Sequence, residues 1–345
     1  VHAPERQPQQ LLAQGIVLGL HAARIEAQQA PRGRRQHREQ GRHRDGRVSV
    51  VLRPDLGQLQ APGRARTWLV TQGAQRLAGD APFEPGRWMS PLWGLARVFA
   101  LEHPVRWGGI VDLDALSTPA AQAQQLLLGF DADDDEDQAA WRQGTRRVAR
   151  LLAAPFAAAP ESREAVLRAD ATYLVTGGFG GLGLQVALWL ADQGVRHIAL
   201  LGRRPDPGAA ALRDLRERGV QVLALAGDVA DNTMLGELPQ RLAQEKAPPL
   251  AGIFHLAADL NLGPLTALAE ADVRAMLRPK IDGTVALESL ARKQNLDMLV
   301  LFSSSTALLG AAGLAHYAAA NAFLDATAEA SSNDPVDGWK HRSQG

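Results

Sequence analysis

A glycine-rich turn that directly follows an apolar run constrains this chain more than any other feature. The run Tyr173–Val175 leads into Thr176-Gly-Gly-Phe-Gly-Gly-Leu-Gly183, which opens an apolar segment with helical character over 182–191. A second apolar run, Ile198–Leu201, ends in a further glycine. Glycines permit the sharp turn and a close approach of backbone to a pyrophosphate, and a helix N-terminus offers free N–H groups. This order of strand, turn, helix and strand predicts a nucleotide-binding site.

The composition excludes several other classes of site. The chain has 345 residues, of which 46% are hydrophobic, and this is enough for two domains with sizeable cores. It has no cysteine, which excludes disulfides, a thiolate nucleophile and a zinc–thiolate site. The formal net charge is zero, so nothing global favours nucleic acid or a membrane surface. We expect a cytoplasmic protein with no metal site.

The first segment, residues 1–66, has an uneven charge. It holds twelve arginines against five acidic residues, and 31–47 has hardly an apolar side chain. A basic arm for nucleic acid is one interpretation. A disordered or non-homologous basic segment is the favoured one, because no aromatic residue lies among these arginines to stack on bases.

Residues 67–168 have the pattern of a small α/β unit. Strands are predicted at 67–71 and 108–113, and helices at 91–102 and 119–128. Ser90 is the expected N-cap of the first helix, with Pro91 at its first position. The unit has no glycine fingerprint, so we expect it to bind no nucleotide.

From Ala171 onward, strands and helices alternate regularly. Further apolar strands are predicted at 220–225, 252–256 and 298–302, with helices at 208–218, 232–245, 270–292 and 316–330. Continuous apolar strands flanked by helices are typical of a parallel sheet buried on both faces. The predicted fold is α/β, a doubly wound parallel Rossmann-type sheet preceded by a smaller subdomain, with ligands at the carboxyl ends of the strands.

Polar residues at those strand ends suggest the cofactor. Arg203 and Arg204 close the second strand, where an acidic residue would hold the ribose hydroxyls of NADH. Two guanidinium groups instead favour the 2′-phosphate of NADPH, although two solvated arginines are the alternative. Asp228 follows the third strand and either caps the next loop or hydrogen-bonds an adenine amino group.

Candidate catalytic side chains follow later in the same unit. Ser303, Ser304 and Ser305 come directly after the strand at 298–302. Tyr317 and Asn321 are four residues apart and share one face of a helix. Lys280 is either a surface lysine with an extended side chain or, beside a nucleotide cleft, a charge that lowers the pKa of a tyrosine.

Residues 171–330 resemble the catalytic half of a ketoreductase domain of modular type I polyketide synthases, within the short-chain dehydrogenase/reductase superfamily. In that family, as here, a lysine lies upstream of the serine and an asparagine lies four residues after the tyrosine. Residues 67–168 resemble the structural half of the domain, a truncated Rossmann-like unit. The matching segments are Thr176–Gly183, Gly202–Arg204, Gly227–Val229, His255–Ala258, Pro279-Lys280, Phe302–Ser304, Tyr317–Asn321, Trp93–Arg97, Glu102–Pro104, Trp107–Asp112 and Trp141–Gly144.

The resemblance implies NADPH-dependent reduction of a β-ketoacyl group carried by phosphopantetheine on an acyl carrier protein. The implied partners are that carrier protein and other polyketide synthase domains, with no nucleic acid and no membrane. Ser304 and Tyr317 are expected to bind the carbonyl oxygen, Lys280 to assist Tyr317, and Asn321 to order the proton relay. The expected cofactor-binding residues are Thr176, Gly177, Gly178, Phe179, Gly180, Gly181, Leu182, Gly183, Arg203, Arg204, Asp228, Val229 and Ala257, together with Lys280 and Tyr317.

The chain also departs from the family pattern. Residues 331–345 lack the strand and substrate lid with which the family continues, so we expect an aberrant tail, a sheet that ends early and weak turnover. The family's Leu-Asp-Asp signature aligns with Leu260-Asn261-Leu262, which leaves the configuration of the product open. An inactive remnant that at most binds nucleotide and a stand-alone reductase of small ketones are the alternative functions.

Overall fold

A computed structural model describes residues 15–17, 23–29, 48–51, 66–77, 79–80, 84–130, 134–153, 167–206, 208 and 210–332. The strands are β1 (Gly15–Val17), β2 (Ala23–Gln29), β3 (Val48–Val51), β4 (Arg66–Gln72), β5 (Trp107–Leu113), β6 (Gln138–Arg142), β7 (Thr145–Ala153), β8 (Thr172–Thr176), β9 (His197–Gly202), β10 (Gln221–Ala226), β11 (Leu250–His255) and β12 (Met298–Leu301). The helices are α1 (Glu84–Met89), α2 (Pro91–Glu102), α3 (Pro119–Phe130), α4 (Gly181–Asp192), α5 (Ala210–Glu217), α6 (Asn232–Gln244), α7 (Glu270–Leu277), α8 (Gly283–Gln294), α9 (Thr306–Leu309) and α10 (Ala315–Ser332).

The strands β8 to β12, with β1, form a parallel sheet in the order β1-β12-β11-β8-β9-β10. Alternate residues of β8 enter opposite cores, as the two-residue period of a strand requires. Tyr173 and Val175 pack with Leu190 of α4, whereas Leu174 packs with Leu287 of α8 and Phe323 of α10. Helices therefore cover both faces, and the predicted doubly wound Rossmann-type sheet is confirmed.

The other sheet has the order β2-β7-β6-β5-β4-β3 and is mixed. Strands β3 to β6 run parallel, whereas β7 is antiparallel to both β6 and β2. The predicted strands at 67–71 and 108–113 lie within β4 and β5. The β6–β7 hairpin was not predicted. Its turn residues Gln143 and Gly144 both have positive φ, +50° and +74°, as a tight two-residue hairpin turn demands.

The expected role of Ser90 is wrong. Its backbone is helical, with φ −58° and ψ −32°, and its side chain caps no N–H group of α2. The Ser90 hydroxyl instead donates to the Arg87 carbonyl at 2.7 Å, because α1 runs almost directly into α2. A short preceding helix therefore supplies the geometry that the sequence pattern assigned to a cap.

The expectation of a disordered or unrelated segment over 1–66 is also corrected where the structure describes it. β2 pairs with β7, β3 pairs with β4, and β1 pairs in parallel with β12. The last pairing matters most, because β1 takes the sheet position next to β12 that we expected to be uncovered. The strand beside β12 comes from the N-terminal part of the described chain and not from residues after 302, because a sheet edge can be filled from any part of a chain. The proposed tail at 331–345 lies outside the described residues beyond 332.

Helix α2 of the first unit packs directly against helix α10 of the second unit. A Cβ atom at Gly94 of α2 would lie 2.2 Å from the Ala318 carbonyl oxygen of α10, so the two backbones are in direct contact. Trp93, Phe99 and Ala315 are buried at this crossing. Among the described helices, none is both long enough and apolar enough to cross a membrane.

Candidate functional site

The turn after β8 is packed too closely for side chains at two positions. Gly177 has a φ of +67°, and a Cβ atom there would lie 3.0 Å from the Ala257 nitrogen. A Cβ atom at Gly183 would lie 2.3 Å from the Gly177 carbonyl oxygen. The glycines therefore bring the first turn of α4 directly over the end of β8.

The N-terminus of α4 has no side-chain cap. Its N-cap residue is Gly180, which is extended with φ −79° and ψ 163° and has no side chain to accept a hydrogen bond. Helix α6, which packs on the same sheet, does have a capping side chain: the Asp231 carboxylate accepts from Thr233 N and Met234 N. First-turn N–H groups with no capping side chain suit a phosphate ligand. The glycine-rich turn over 176–183 and the N-terminus of α4, together called the glycine cradle, therefore fit the pyrophosphate of a dinucleotide.

Thr176 and Val229, both predicted to bind the cofactor, have buried side chains. Thr176 is fully buried, and its hydroxyl lies 2.7 Å from Nδ1 of His255 and 3.3 Å from the Ala257 nitrogen. Val229 is buried against the backbone of Gly283. Any contact of either residue with a cofactor would have to come from its backbone.

The polar residues around the turn lie on the carboxyl edge of the sheet. Arg203 forms an ion pair of 3.0 Å with Asp259, and Arg204 is exposed. Asp228 accepts from the Ala230 nitrogen at 2.9 Å and from Arg278 Nε at 2.9 Å. The loop-capping interpretation of Asp228 is therefore confirmed, and an adenine contact remains a prediction.

Lys280 is buried, and the alternative of a surface lysine is wrong. The predicted helix over 270–292 is broken at Arg278–Asp282 into one turn of π-helix, and this turn carries Lys280 inward. Only 2% of Lys280 is exposed, and its Nζ donates to the Phe302 carbonyl at 2.9 Å. Burial lowers the pKa of Lys280 to about 8, against the opposing charge of Asp325.

Lys280 also reaches the predicted tyrosine. Its Nζ lies 5.7 Å from the centroid of the Tyr317 ring, within the range of a cation–π contact. Asn321 Nδ2 donates to the Tyr317 carbonyl at 2.9 Å. Asn321 Oδ1 is buried and has no hydrogen-bond partner within the described part of the chain. Such an acceptor suits a bound water.

Ser304 is arranged as a hydrogen-bond donor. Its Oγ accepts from the Thr306 nitrogen at 3.3 Å and from the Thr306 hydroxyl at 3.1 Å. These two bonds use the lone pairs and leave the Ser304 proton free for a ligand. The carbonyl bonded by Lys280 belongs to Phe302, two residues before Ser304. The four predicted catalytic residues are thus linked through Phe302 and the Tyr317 backbone.

Asp325 and His255 belong to this region but were not predicted. Burial raises the pKa of Asp325 to about 6, opposed by the Ser303 hydroxyl and by the charges of Arg97 and Lys280. Burial, with the charge of Lys280, lowers the pKa of His255 to about 3, so this ring is neutral. A signal for Asp325 existed, because it continues the four-residue spacing of Tyr317 and Asn321 along one helix face.

A groove of about 490 Å³ lies between the end of α2 and the loops around Gly263 and Gly313. Its lining residues are Glu102, Leu262, Gly263, Pro264, Ala312, Gly313 and Leu314. The Glu102 carboxylate at the end of α2 accepts from the Leu265 nitrogen at 2.7 Å and from the Gly313 nitrogen at 2.6 Å. Through Glu102, the first unit therefore holds in place both loops beside the groove, the one at Leu265 and the one at Gly313.

Two family models match the chain and divide it between them. The KR domain model matches residues 171–338. The model of the polyketide synthase extender module SpnB, Rossmann fold domain, matches residues 7–151. The second match begins far before residue 67, so the expectation that 1–66 is unrelated to the family is wrong from residue 7.

Curated relatives and solved structures agree with the family models. The chain is 38% identical to erythronolide synthase EryA3 of Saccharopolyspora erythraea and 38% identical to pikromycin polyketide synthase component PikAIII of Streptomyces venezuelae. These matches cover 81% and 82% of the chain but only 9% and 19% of the relatives, so the chain spans a small part of each.

Among solved structures, an A-type ketoreductase from a modular polyketide synthase is 38% identical with a TM-score of 0.68, covering 77% of this chain and 56% of that one. The PlmKR1 ketoreductase from the first module of phoslactomycin biosynthesis in Streptomyces sp. HK803 is 32% identical with a TM-score of 0.70, covering 83% of this chain and 67% of that one.

Proposed function

The chain belongs to the ketoreductase family of modular polyketide synthases, and from this we propose that it reduces a β-ketoacyl group on an acyl carrier protein to the β-hydroxyacyl group with NADPH. One observation carries the proposal. The glycine cradle after β8 and the cluster of Lys280, Ser304 and Tyr317 lie at the same carboxyl edge of one parallel sheet. A cofactor held by the first therefore has its reactive end near the second.

NADPH, when bound, supplies the hydride that reaches the carbonyl carbon. Ser304 and Tyr317 donate hydrogen bonds to the carbonyl oxygen, where negative charge develops. Donors aimed at a developing oxyanion contribute about 3–4 kcal/mol each to transition-state stabilisation. Tyr317 then gives its proton to this oxygen as the alcohol forms.

Lys280 assists the loss of the Tyr317 proton. A cationic ammonium 5.7 Å from the ring centroid stabilises the tyrosinate form by charge. The Phe302 carbonyl holds the ammonium in place. Asn321 Oδ1, which has no hydrogen-bond partner among the described residues, binds the water through which the proton of Tyr317 is replaced.

The preference for NADPH rests on Arg203 and Arg204. They follow β9 directly, at the position where an enzyme specific for NADH would have an acidic residue. A guanidinium at this strand end suits a 2′-phosphate. The preference for an acyl thioester rests on the relatives, which are multidomain polyketide synthases, and on the apolar rim of the groove. Leu262, which lines the groove, is 58% exposed.

The two tyrosines of the chain provide a matched test. Tyr317→Phe should reduce kcat for a β-ketoacyl pantetheine thioester by at least about a hundredfold, because the general acid is lost, with a much smaller effect on the NADPH Kd. Tyr173→Phe removes the same hydroxyl from a fully buried tyrosine of β8 and should keep turnover. Retained turnover in Tyr317→Phe would exclude the assignment. NADPH binding without thioester reduction in the unmodified chain would instead indicate an inactive remnant.

A further inference from the structure

The ion pair between Arg203 and Asp259 crosses the nucleotide cradle. Arg203 directly follows β9, and Asp259 lies in the loop that follows β11. In the sheet order, β8 lies between β11 and β9. The 3.0 Å contact between Arg203 Nη2 and Asp259 Oδ2 therefore spans the carboxyl end of β8, where the glycine turn lies.

Resting on the proposed function, we propose that Asp259 is an internal competitor for Arg203: its carboxylate binds the guanidinium that otherwise binds the 2′-phosphate of the cofactor. A pyrophosphate seated on the glycine turn also lies beneath this contact, so cofactor entry separates the two side chains. Asp259 then recovers Arg203 when the oxidised cofactor leaves.

The electrostatics favour competition over a shared arrangement. The diphosphate and 2′-phosphate groups are negative, and a carboxylate beside them raises the free energy of the bound state by like-charge repulsion. The Arg203 side chain is 57% exposed and the Asp259 side chain 31%, and ion pairs of such exposure are individually weak. A weak contact can open in each catalytic cycle.

The other acidic residue at this edge is held differently. Asp228 accepts from the Ala230 nitrogen as well as from Arg278, so its carboxylate is fixed to the backbone. Within the described ranges, Arg203 is the one hydrogen-bond partner found for the Asp259 carboxylate. Asp259 is therefore free to turn away when Arg203 leaves it, whereas Asp228 is not.

The test is a double-mutant cycle on NADPH affinity, read by cofactor fluorescence at low ionic strength. Asp259→Asn should tighten NADPH binding about two- to fivefold, mainly through slower dissociation. NADH, with no 2′-phosphate, should gain less. In an Arg203→Ala background, which by itself weakens NADPH binding, Asp259→Asn should lose most of its effect.

The control is Asp192→Asn at the C-terminal end of α4, which removes one of the two carboxylates paired with Arg218, at 2.7 Å. It should leave the NADPH Kd unchanged. Weaker NADPH binding in Asp259→Asn would overturn the proposal, because the carboxylate would then be orienting Arg203 toward the phosphate. An equal gain with and without Arg203 would overturn it as well. If the unmodified chain binds no NADPH, the proposed function falls with it, whereas binding with no response to Asp259→Asn removes this inference alone.

Discussion

The turn after β4 and the turn after β8 each follow a strand that pairs in parallel with both of its neighbours, and a helix glycine packs over each turn. A Cβ atom at Gly86 would lie 1.8 Å from the Gly73 carbonyl oxygen, just as one at Gly183 would approach Gly177. The two turns differ in whether their backbone N–H groups already bind a carboxylate of the protein. The Asp112 carboxylate at the end of β5 accepts from the Ala74 nitrogen at 2.8 Å and from the Gln75 nitrogen at 3.1 Å.

In the first unit, which contains β2 to β7, the Asp112 carboxylate binds the N–H groups of the turn. In the second unit, which contains β8 to β12, the N–H groups of the turn are open to the anion of a ligand. Asp112 is fully buried, accepts from the Thr71 hydroxyl at 2.6 Å, and is paired with Arg142 at 2.7 Å. A turn whose N–H groups already bind an internal carboxylate has none to offer a phosphate. The comparison gives a physical reason for the missing fingerprint: one Rossmann-like plan serves structure in the first unit and ligand binding in the second.

The largest effect is expected from removing the internal anion. Asp112→Ala should lower the free energy of unfolding by about 3–5 kcal/mol, because it leaves Arg142 and two backbone N–H groups without their buried partner. Urea denaturation measures the loss. Asp170→Ala, at an exposed aspartate, should change stability by less than about 0.5 kcal/mol. A stable Asp112→Ala protein would show that the two turns are not organised by their anions.

The second prediction addresses the open turn. Gly183→Ala should weaken NADPH binding by at least about tenfold, since overpacking of this kind costs about 1–3 kcal/mol and displaces the cradle backbone. Gly236→Ala in α6 is the control, because a Cβ atom there meets nothing within 4 Å. Titration of both variants with NADPH checks the difference. Equal affinities would mean that the cradle does not hold the phosphates.

The third prediction concerns the contact between the units. Gly94→Ala should lower the free energy of unfolding by about 1–2 kcal/mol, although alanine favours a helix, because its Cβ would meet the Ala318 carbonyl at 2.2 Å. Gly129→Ala in α3 places its Cβ at an ordinary 3.5 Å from Val111 and should not destabilise the protein. Thermal melting compares the two. A stabilised Gly94→Ala would argue that the units move apart without cost.

The smallest effect contrasts two buried charges. Asp112 is paired with a guanidinium, whereas Lys280 is bonded to a carbonyl, and burial lowers the Lys280 pKa from 10.5 to about 8. The protonated lysine therefore destabilises the folded state below about pH 8, and stability is regained as pH rises from about 8 toward 10.5.

Lys280→Met should accordingly raise the free energy of unfolding by about 1–2 kcal/mol at pH 7, with a gain that shrinks toward pH 10. Melting curves from pH 6 to 10 measure this, and Lys293→Met at an exposed position of α8 should show no such dependence. A gain that stays constant from pH 6 to 10 would mean that folding does not lower the pKa of Lys280.

Much of the second sheet could be predicted from the sequence, because its buried strands are continuous apolar runs and its turns carry glycines. The π-helical turn at Arg278–Asp282 could not, since a single turn of π-helix is too short to give a recognisable period of its own in the sequence. Nor could the β1–β12 pairing, which depends on residues at opposite ends of the described chain.

The candidate site was predictable where residue type and spacing coincide, as for Tyr317 and Asn321. The direction of a side chain was harder to predict. Thr176 lies within the glycine motif but its side chain enters the core, and the helical pattern around Lys280 favoured a surface lysine although the side chain is buried. Asp259 was not singled out, because its significance lies in a contact with Arg203 across another strand.

The parallel pairing of β1 with β12 interleaves the two units along the chain. All of the first unit's strands lie between β1 and β8, so the second unit is completed by a strand that precedes the first. The chain therefore cannot be divided at one position into two segments that each contain a complete sheet. During synthesis, Gly15–Val17 emerges long before its partner Leu299–Leu301, and a contact of such long range forms slowly. The last sheet position can therefore be filled only after the chain has been made as far as Leu301.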